Sequence, residues 1–297
     1  MHASTRRRVL QSLGLLTAAP WLARAEPNSA ATPLRLPLHV RELVNHIGTS
    51  VPDVTRSATF YSRLFQSGTI SGQEVPALRY EINFHPGALS IGPLRQTATA
   101  SETHPYIDHF CILASPFDAA AWSARLDEQK LRHFAGGSFV VIGGISVQLL
   151  GGRAGPPAAA ARAGGAAAGG GFKPMTPLFK GQSLVTPRGF DHLTLHVADL
   201  ESSAALFERL FGVTAQAPSP GLRIFRVADI RLEVRQAESG ERPSIKAFAI
   251  RVAPYDPGRV RAALEALGAK VESPERTSSG TILRFADPDG ISCELRA

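Results

Sequence analysis

The feature that most constrains this chain is that it repeats itself at a spacing of 146 residues. Val44-Asn45-His46-Ile47, running on to Arg63-Leu64-Phe65, is echoed by Phe190-Asp191-His192-Leu193 and Arg209-Leu210-Phe211. Gly144-Ile145-Ser146-Val147-Gln148-Leu149 is echoed at the same spacing by Gly290-Ile291-Ser292-Cys293-Glu294-Leu295. Between them, Ile107-Asp108-His109-Phe110-Cys111-Ile112 corresponds to Ile245-Lys246-Ala247-Phe248-Ala249-Ile250. Three matched blocks in one order imply a duplicated structural unit. The expected domains are residues 40–150 and 187–297, separated by a linker over 151–186 whose Gly151–Gly171 part is almost wholly Ala, Gly and Pro. Such a stretch has no side chains able to build a core.

Within each copy the hydrophobic period alternates between that of a strand and that of a helix. His192-Leu193-Thr194-Leu195-His196-Val197 alternates as a strand does, and Asp199 is a helix N-cap. Leu206, Phe207, Leu210 and Phe211 then recur at helical spacing. Short β segments follow (Arg223–Val227, Ile230–Val234), and strand and helix recur over Phe248–Val252 and Val260–Leu267, with Gly268 as a C-terminal cap. Asp287-Pro288-Asp289-Gly290 predicts a turn between two strands. The unit is β-α-β-β-β, used twice per copy, and the expected class is α+β.

The N-terminus reads as an export signal. Arg6-Arg7-Arg8 directly precedes a modest apolar stretch, Val9–Leu22, which ends in the small-x-small site Ala23-Arg24-Ala25. Residues 1–25 therefore resemble a twin-arginine signal, which predicts a periplasmic or secreted location. Four of the 32 basic residues and none of the 25 acidic ones lie in that segment, so the net charge falls from +7 to +3 once it is removed. The remaining arginines are scattered, which argues against nucleic acid as a partner. No other apolar run approaches the ~20 residues of a membrane span. Cys111 and Cys293, in opposite halves, are expected to be two buried free thiols rather than a disulfide framework.

His on a first strand, and Asp-Pro-Asp-Gly before a last strand carrying Glu, resemble the vicinal oxygen chelate superfamily of glyoxalases, bleomycin-resistance proteins and extradiol dioxygenases. The likeness covers essentially the whole chain outside the signal and linker. It implies paired β-α-β-β-β modules curled into a mixed sheet around a divalent metal. It also implies a small-molecule substrate held through vicinal oxygens.

The family's ligand positions fall on His46, a residue near Ile91, His109 and Gln148 in the first copy. In the second they fall on His192, Glu233, Ala247 and Glu294. The first set resembles a two-His-one-carboxylate site with Gln for Glu; the second resembles a glyoxalase site with Ala for one His. Two imidazoles with a carboxylate suit Fe or Mn, so Gln148 is expected to make the first site bind metal less well, and His192, Glu233 and Glu294 could hold Zn, Ni or Mn. Glu294 could double as the proton-transferring base.

His196 cannot fill the place of Ala247, because four residues along a strand separate it from His192 by about 13 Å. His196 and Arg251 are expected to contact substrate. Extradiol chemistry commonly also uses a Tyr some ten residues before the last ligand, but Ser138-Phe139 and Arg284-Phe285 stand there, which favours isomerase or lyase chemistry. The competing reading is a metal-free binding or sequestering protein of the bleomycin-resistance type. Whether the two copies pack on each other or pair as a homodimer stays open.

Overall fold

The computed structural model describes residues 44–65, 70–73, 78–84, 87–95, 103–114, 117–151, 173–175, 178–179, 181–227, 230–278 and 280–297. The expected signal, and 152–172 of the expected linker, lie outside the described residues.

The first half contains β1 (Val44–Val51), α1 (Val54–Phe65), β2 (Ile70–Gln73), β3 (Arg79–Asn83) and β4 (Ala88–Pro93). A second run of the same kind follows: β5 (Tyr106–Ala114), α2 (Ala119–Glu128), β6 (His133–Phe134), β7 (Phe139–Ile142) and β8 (Ile145–Gly151). The short β9 (Lys173–Met175) pairs with β2, so this piece of the expected linker is bound to the first half's edge. The second half contains β10 (Pro187–Val197), α3 (Leu200–Phe211), β11 (Gln216–Ser219), β12 (Leu222–Val227) and β13 (Ile230–Gln236). It ends with β14 (Ser244–Val252), α4 (Pro257–Ala266), β15 (Lys270–Val271), β16 (Glu275–Thr277), β17 (Gly280–Ala286) and β18 (Ser292–Arg296). The fold is α+β, as the alternating periodicity predicted.

Local sequence explains the helix ends. Asp199 Oδ1 accepts from Ser202 N–H at 2.7 Å, and Asp256 Oδ1 accepts from Gly258 and Arg259 N–H with Pro257 in the first turn. These bonds satisfy amides that a helix N-terminus otherwise leaves bare. In the last hairpin Asp287 Oδ1 accepts from Asp289 N–H at 2.9 Å and Ile291 N–H at 2.8 Å. Gly290 takes φ +88° there, a value that needs glycine.

Pairing follows one scheme in both halves. β1 runs parallel to β4 and antiparallel to β5, and β5 runs parallel to β8. β10 stands in the same way to β13 and β14, and β14 to β18. Since side chains alternate across a strand, one face of each half-sheet turns Ile47, Phe110 and Val147, or Leu193, Phe248 and Leu295, into the core. The opposite face carries the polar row His46, Cys111 and Gln148, or His192, Ala249 and Glu294.

The halves share one core. β5 and β14 pair at Ile107 and Ile245, making the sheet continuous. Helix α1 of the first half packs Phe60 against Phe285 and Tyr61 against Phe248, with ring centroids 6.2 and 6.4 Å apart. The Tyr61 hydroxyl donates to Asp287 Oδ2 at 2.7 Å, fully buried. Both cysteines are free and buried, and burial pushes both thiol pKa values well up, so neither is an activated nucleophile. Among the described residues no helix is long and apolar enough to cross a membrane.

Candidate functional site

The polar faces of the two half-sheets hold different chemistry, and the first holds two facing imidazoles. His46 on β1 and His109 on β5 bring their Nε2 atoms to 3.0 Å of each other, and both rings are buried. Each ring is anchored through its other nitrogen: His46 Nδ1 to Asn45 Oδ1 at 2.9 Å, His109 Nδ1 to Asp108 Oδ2 at 2.8 Å. If each Nδ1 carries the proton, as these acceptors require, two Nε2 lone pairs face one another. That arrangement is repulsive unless a proton or a cation lies between them. Gln148 on β8 stands in register with Cys111, itself in register with His46, so it shares their face of the sheet and its side chain influences the His46 titration. Burial first, and His109 second, pull the His46 pKa down to about 3, partly opposed by Gln148, so its imidazole is neutral.

Gly48 explains how His109 reaches across the strand. A Cβ on Gly48 would lie 2.2 Å from His109 Cε1, so the ring occupies the space a side chain would take. At the matching positions of the second half the sizes are exchanged: Thr194 stands for Gly48 and pairs with Ala247, which stands for His109.

Two carboxyls share this region with opposite tendencies: Asp108, in contact with His109, and Glu81, on the same polar side of the sheet. Burial raises the pKa of Asp108, but its bond to His109, the His109 charge and the charges of Arg95 and Arg79 outweigh this and hold it below the usual range. Asp108 also takes Arg95 Nη2 at 2.6 Å, which makes it the anchored orienter of His109. Glu81 on β3 was not singled out in the sequence. Its neighbours Tyr80 and Ile82 point into the core, so Glu81 faces the polar side, opposite Ser90 of β4. Ser71 Oγ donates to it at 3.1 Å. Burial raises its pKa more than that bond lowers it, and its charge is felt by Cys111, which lies in register between His46 and Gln148. The signal available in the sequence was an acid at a position where the second half has Ile224.

For an acid whose folded pKa is raised, stability falls as pH rises from the unfolded value through the folded one. The variant Glu81→Gln is therefore expected to melt at a higher temperature than wild type at pH 7, with the gap closing toward pH 4. Thermal melts at both pH values check this.

The matching cavity of the second half, about 630 Å³, is lined by His192, Glu233 and Glu294 together with arginines. His192 Nδ1 contacts Asp191 Oδ1 at 2.8 Å and Arg231 Nη2 at 3.2 Å. Arg231 Nε lies 3.0 Å from Glu233 Oε1 but out of line for a hydrogen bond. Glu294, buried, takes Arg284 Nε on Oε2 at 2.9 Å and has Arg296 Nε 3.1 Å from Oε1. Arg296 also reaches Asp191 at 3.3 Å. Burial raises the Asp191 pKa, but His192 and Arg296 pull it down to about 2. Among the described residues no group of three His, Cys, Asp or Glu side chains is placed to hold a metal. The first half's set is two His and a Gln.

His196 and Arg251 do not line this cavity. His196 Nδ1 faces Glu241 at 3.0 Å, where Lys246 also pairs with that carboxylate. Arg251 stands in register with Arg296 of β18.

Residues 189–295 match the family described as the Glyoxalase/Bleomycin resistance protein/Dioxygenase superfamily. The match falls on the second half, and the curled sheet of both halves is the fold expected of that superfamily. The fold of the chain is similar to that of a mutant 4-hydroxymandelate synthase from Streptomyces coelicolor (13% identity, 86% of this chain and 93% of that one covered, TM-score 0.58). It is likewise similar to a Mn(II)-bound glyoxalase from Novosphingobium aromaticivorans (14% identity, 87% and 82% covered, TM-score 0.57). A third similar structure is a Pseudomonas 2,3-dioxygenase (13% identity, 87% and 93% covered, TM-score 0.57). A search of curated proteins finds no match.

Proposed function

We propose that this chain is a metal-dependent enzyme that binds a small substrate through two adjacent oxygens, with the divalent ion held in the first half by His46, His109 and Gln148. The observation that carries the reading is the pair of buried Nε2 atoms 3.0 Å apart, each on a ring anchored through Nδ1. Two neutral imidazoles and an amide oxygen fit a divalent transition metal, with Fe, Mn, Ni and Zn all compatible with such donors. The metal bound in one structurally similar glyoxalase is Mn(II), which supports this choice of ion.

When bound, the ion would supply Lewis acidity toward substrate oxygens. The protein's own groups do the rest. Asn45 and Asp108 fix the orientation of both imidazoles, and Arg95 fixes Asp108. Phe139, whose ring centroid is 5.4 Å from that of His109, walls one side and excludes water there. Glu81, half-buried and without an ion pair among the described residues, is the carboxyl suited to exchange a proton with substrate; Gln148 cannot do so. Isomerase or lyase chemistry fits this set better than ring cleavage, since Ser138 and Phe139 occupy the place where a tyrosine would serve. The twin-arginine-like segment supports delivery to the periplasm.

Metal content by mass spectrometry, on protein purified without chelator, tests the reading. Near-stoichiometric metal in wild type and at least a tenfold loss in His46→Ala are expected, with His192→Ala unchanged. Wild type that carries no metal and takes up none would leave a metal-free binding protein, a reading that the second half's arginine-lined cavity favours.

A further inference from the structure

The polar face of the second half-sheet opens into a cavity furnished with cations. Five cationic side chains (Arg231, Arg235, Lys270, Arg284, Arg296) and three carboxylates (Glu233, Glu272, Glu294) line it. Ala247 leaves open the space that His109 fills in the first half, and the resulting volume of about 630 Å³ suits a small molecule.

The arginines are already oriented. Glu233 and Asp191 hold Arg231, Glu294 and Glu275 hold Arg284, and Glu294 and Asp191 hold Arg296. Asp191 and Glu275 do not themselves line the cavity, so the charges facing into it have a positive surplus of two. A guanidinium has five N–H donors in one plane and keeps some free after such pairing. Arg231 Nε and Glu294 Oε1 are both buried without a hydrogen-bond partner, so the arginine–carboxylate pairing in the cavity is incomplete. At the rim, exposed Arg235 and Lys270 have no ion pair among the described residues. A divalent cation entering here would meet five positive charges, and two of the three carboxylates, Glu233 and Glu294, are already engaged by arginine.

We propose that this second cavity is a binding site for a small oxyanion, a carboxylate or phosphate group on a compact molecule, and is not a metal site. Pre-oriented guanidinium groups receive the anion in bidentate fashion, and the two rim cations draw it in. The site does not depend on the metal proposed for the first half.

Calorimetric titration of the whole chain with malonate and, separately, with inorganic phosphate tests the proposal at constant ionic strength. Saturable one-to-one binding of at least one anion is expected, unchanged in His46→Ala and weakened at least tenfold in Arg235→Gln/Lys270→Gln. Because neither rim residue is ion-paired, that variant is expected to melt with wild type, and Arg284→Gln supplies a second, deeper probe. Preference for malonate identifies a carboxylate ligand, and preference for phosphate a phosphorylated one. No saturable binding of either anion, or an affinity unchanged by both variants, would overturn the site. So would stoichiometric Mn(II) uptake that His192→Ala abolishes.

Discussion

Threonine in place of Gly48 is expected to abolish the metal binding proposed for the first half while leaving the protein folded. The new Cβ would lie 2.2 Å from His109 Cε1, far inside contact distance, so the imidazole must swing away from His46. Two effects on stability oppose each other. Removing glycine from a strand gains roughly 0.5–1 kcal/mol in backbone entropy. Overpacking a filled site costs roughly 1–3 kcal/mol, and burying an imidazole away from its Asp108 partner adds to that, so destabilisation wins.

The second half shows the remedy, since Thr194 fits beside Ala247. The double variant Gly48→Thr/His109→Ala is therefore expected to recover most of the lost stability, with a coupling of about 1–3 kcal/mol between the two positions. Denaturant melts of the four proteins in the cycle give the coupling. Metal content should stay below a tenth of wild type in both Gly48→Thr variants. A Gly48→Thr protein with full metal would show that His109 is not a ligand.

Removing the Asp287 carboxyl is expected to weaken the seam between the halves more than any single surface change. Its carboxyl accepts from Tyr61 of the first half and from two amides of its own turn. Asp287→Ala leaves the buried Tyr61 hydroxyl and Ile291 amide unpaired, at a cost of about 2–4 kcal/mol in total. Tyr61→Phe removes only one of these bonds and should cost about 1–2 kcal/mol. Asp287 titrates above the usual carboxylate range because it is buried and near Asp289, despite the bonds that stabilise its charge. Denaturation followed by near-UV signals of both halves checks the seam: one shared transition, shifted in Asp287→Ala, is expected. Two separate transitions in wild type would mean that the buried contact does not couple the halves.

Much of the architecture was legible because it rests on periodicity. Alternation at Leu193, Leu195 and Val197 marks a strand with one buried face, and the Phe207–Phe211 spacing marks a helix with one buried stripe. Asp199 and Asp287 act locally, on amides two to four residues away, so their roles could be read from adjacent residues. The duplicated blocks singled out His46 and His192 together, and the family likeness added His109 and Gln148.

The ionic partners were another matter. Glu294 reads the same on paper whether it faces a metal or two arginines. Arg284 reaches it only because β17 lies antiparallel to β18, with Arg284 directly opposite Glu294, while Arg296 stands two residues along the same face of β18. Glu81 looked like an ordinary strand acid, and its place on the polar face between Ser71 and Ser90 came from the pairing of β3 with β2 and β4.

The sequence by itself determined the duplication and the α+β module order, since these follow from spacing and residue type along the chain. Only the tertiary structure decided that Gly48 makes room for His109, that the second half's candidate ligands pair with arginines, and that α1 seals against Asp287. Those outcomes depend on which strands become neighbours, and neighbour choice is settled by the packing of the whole sheet.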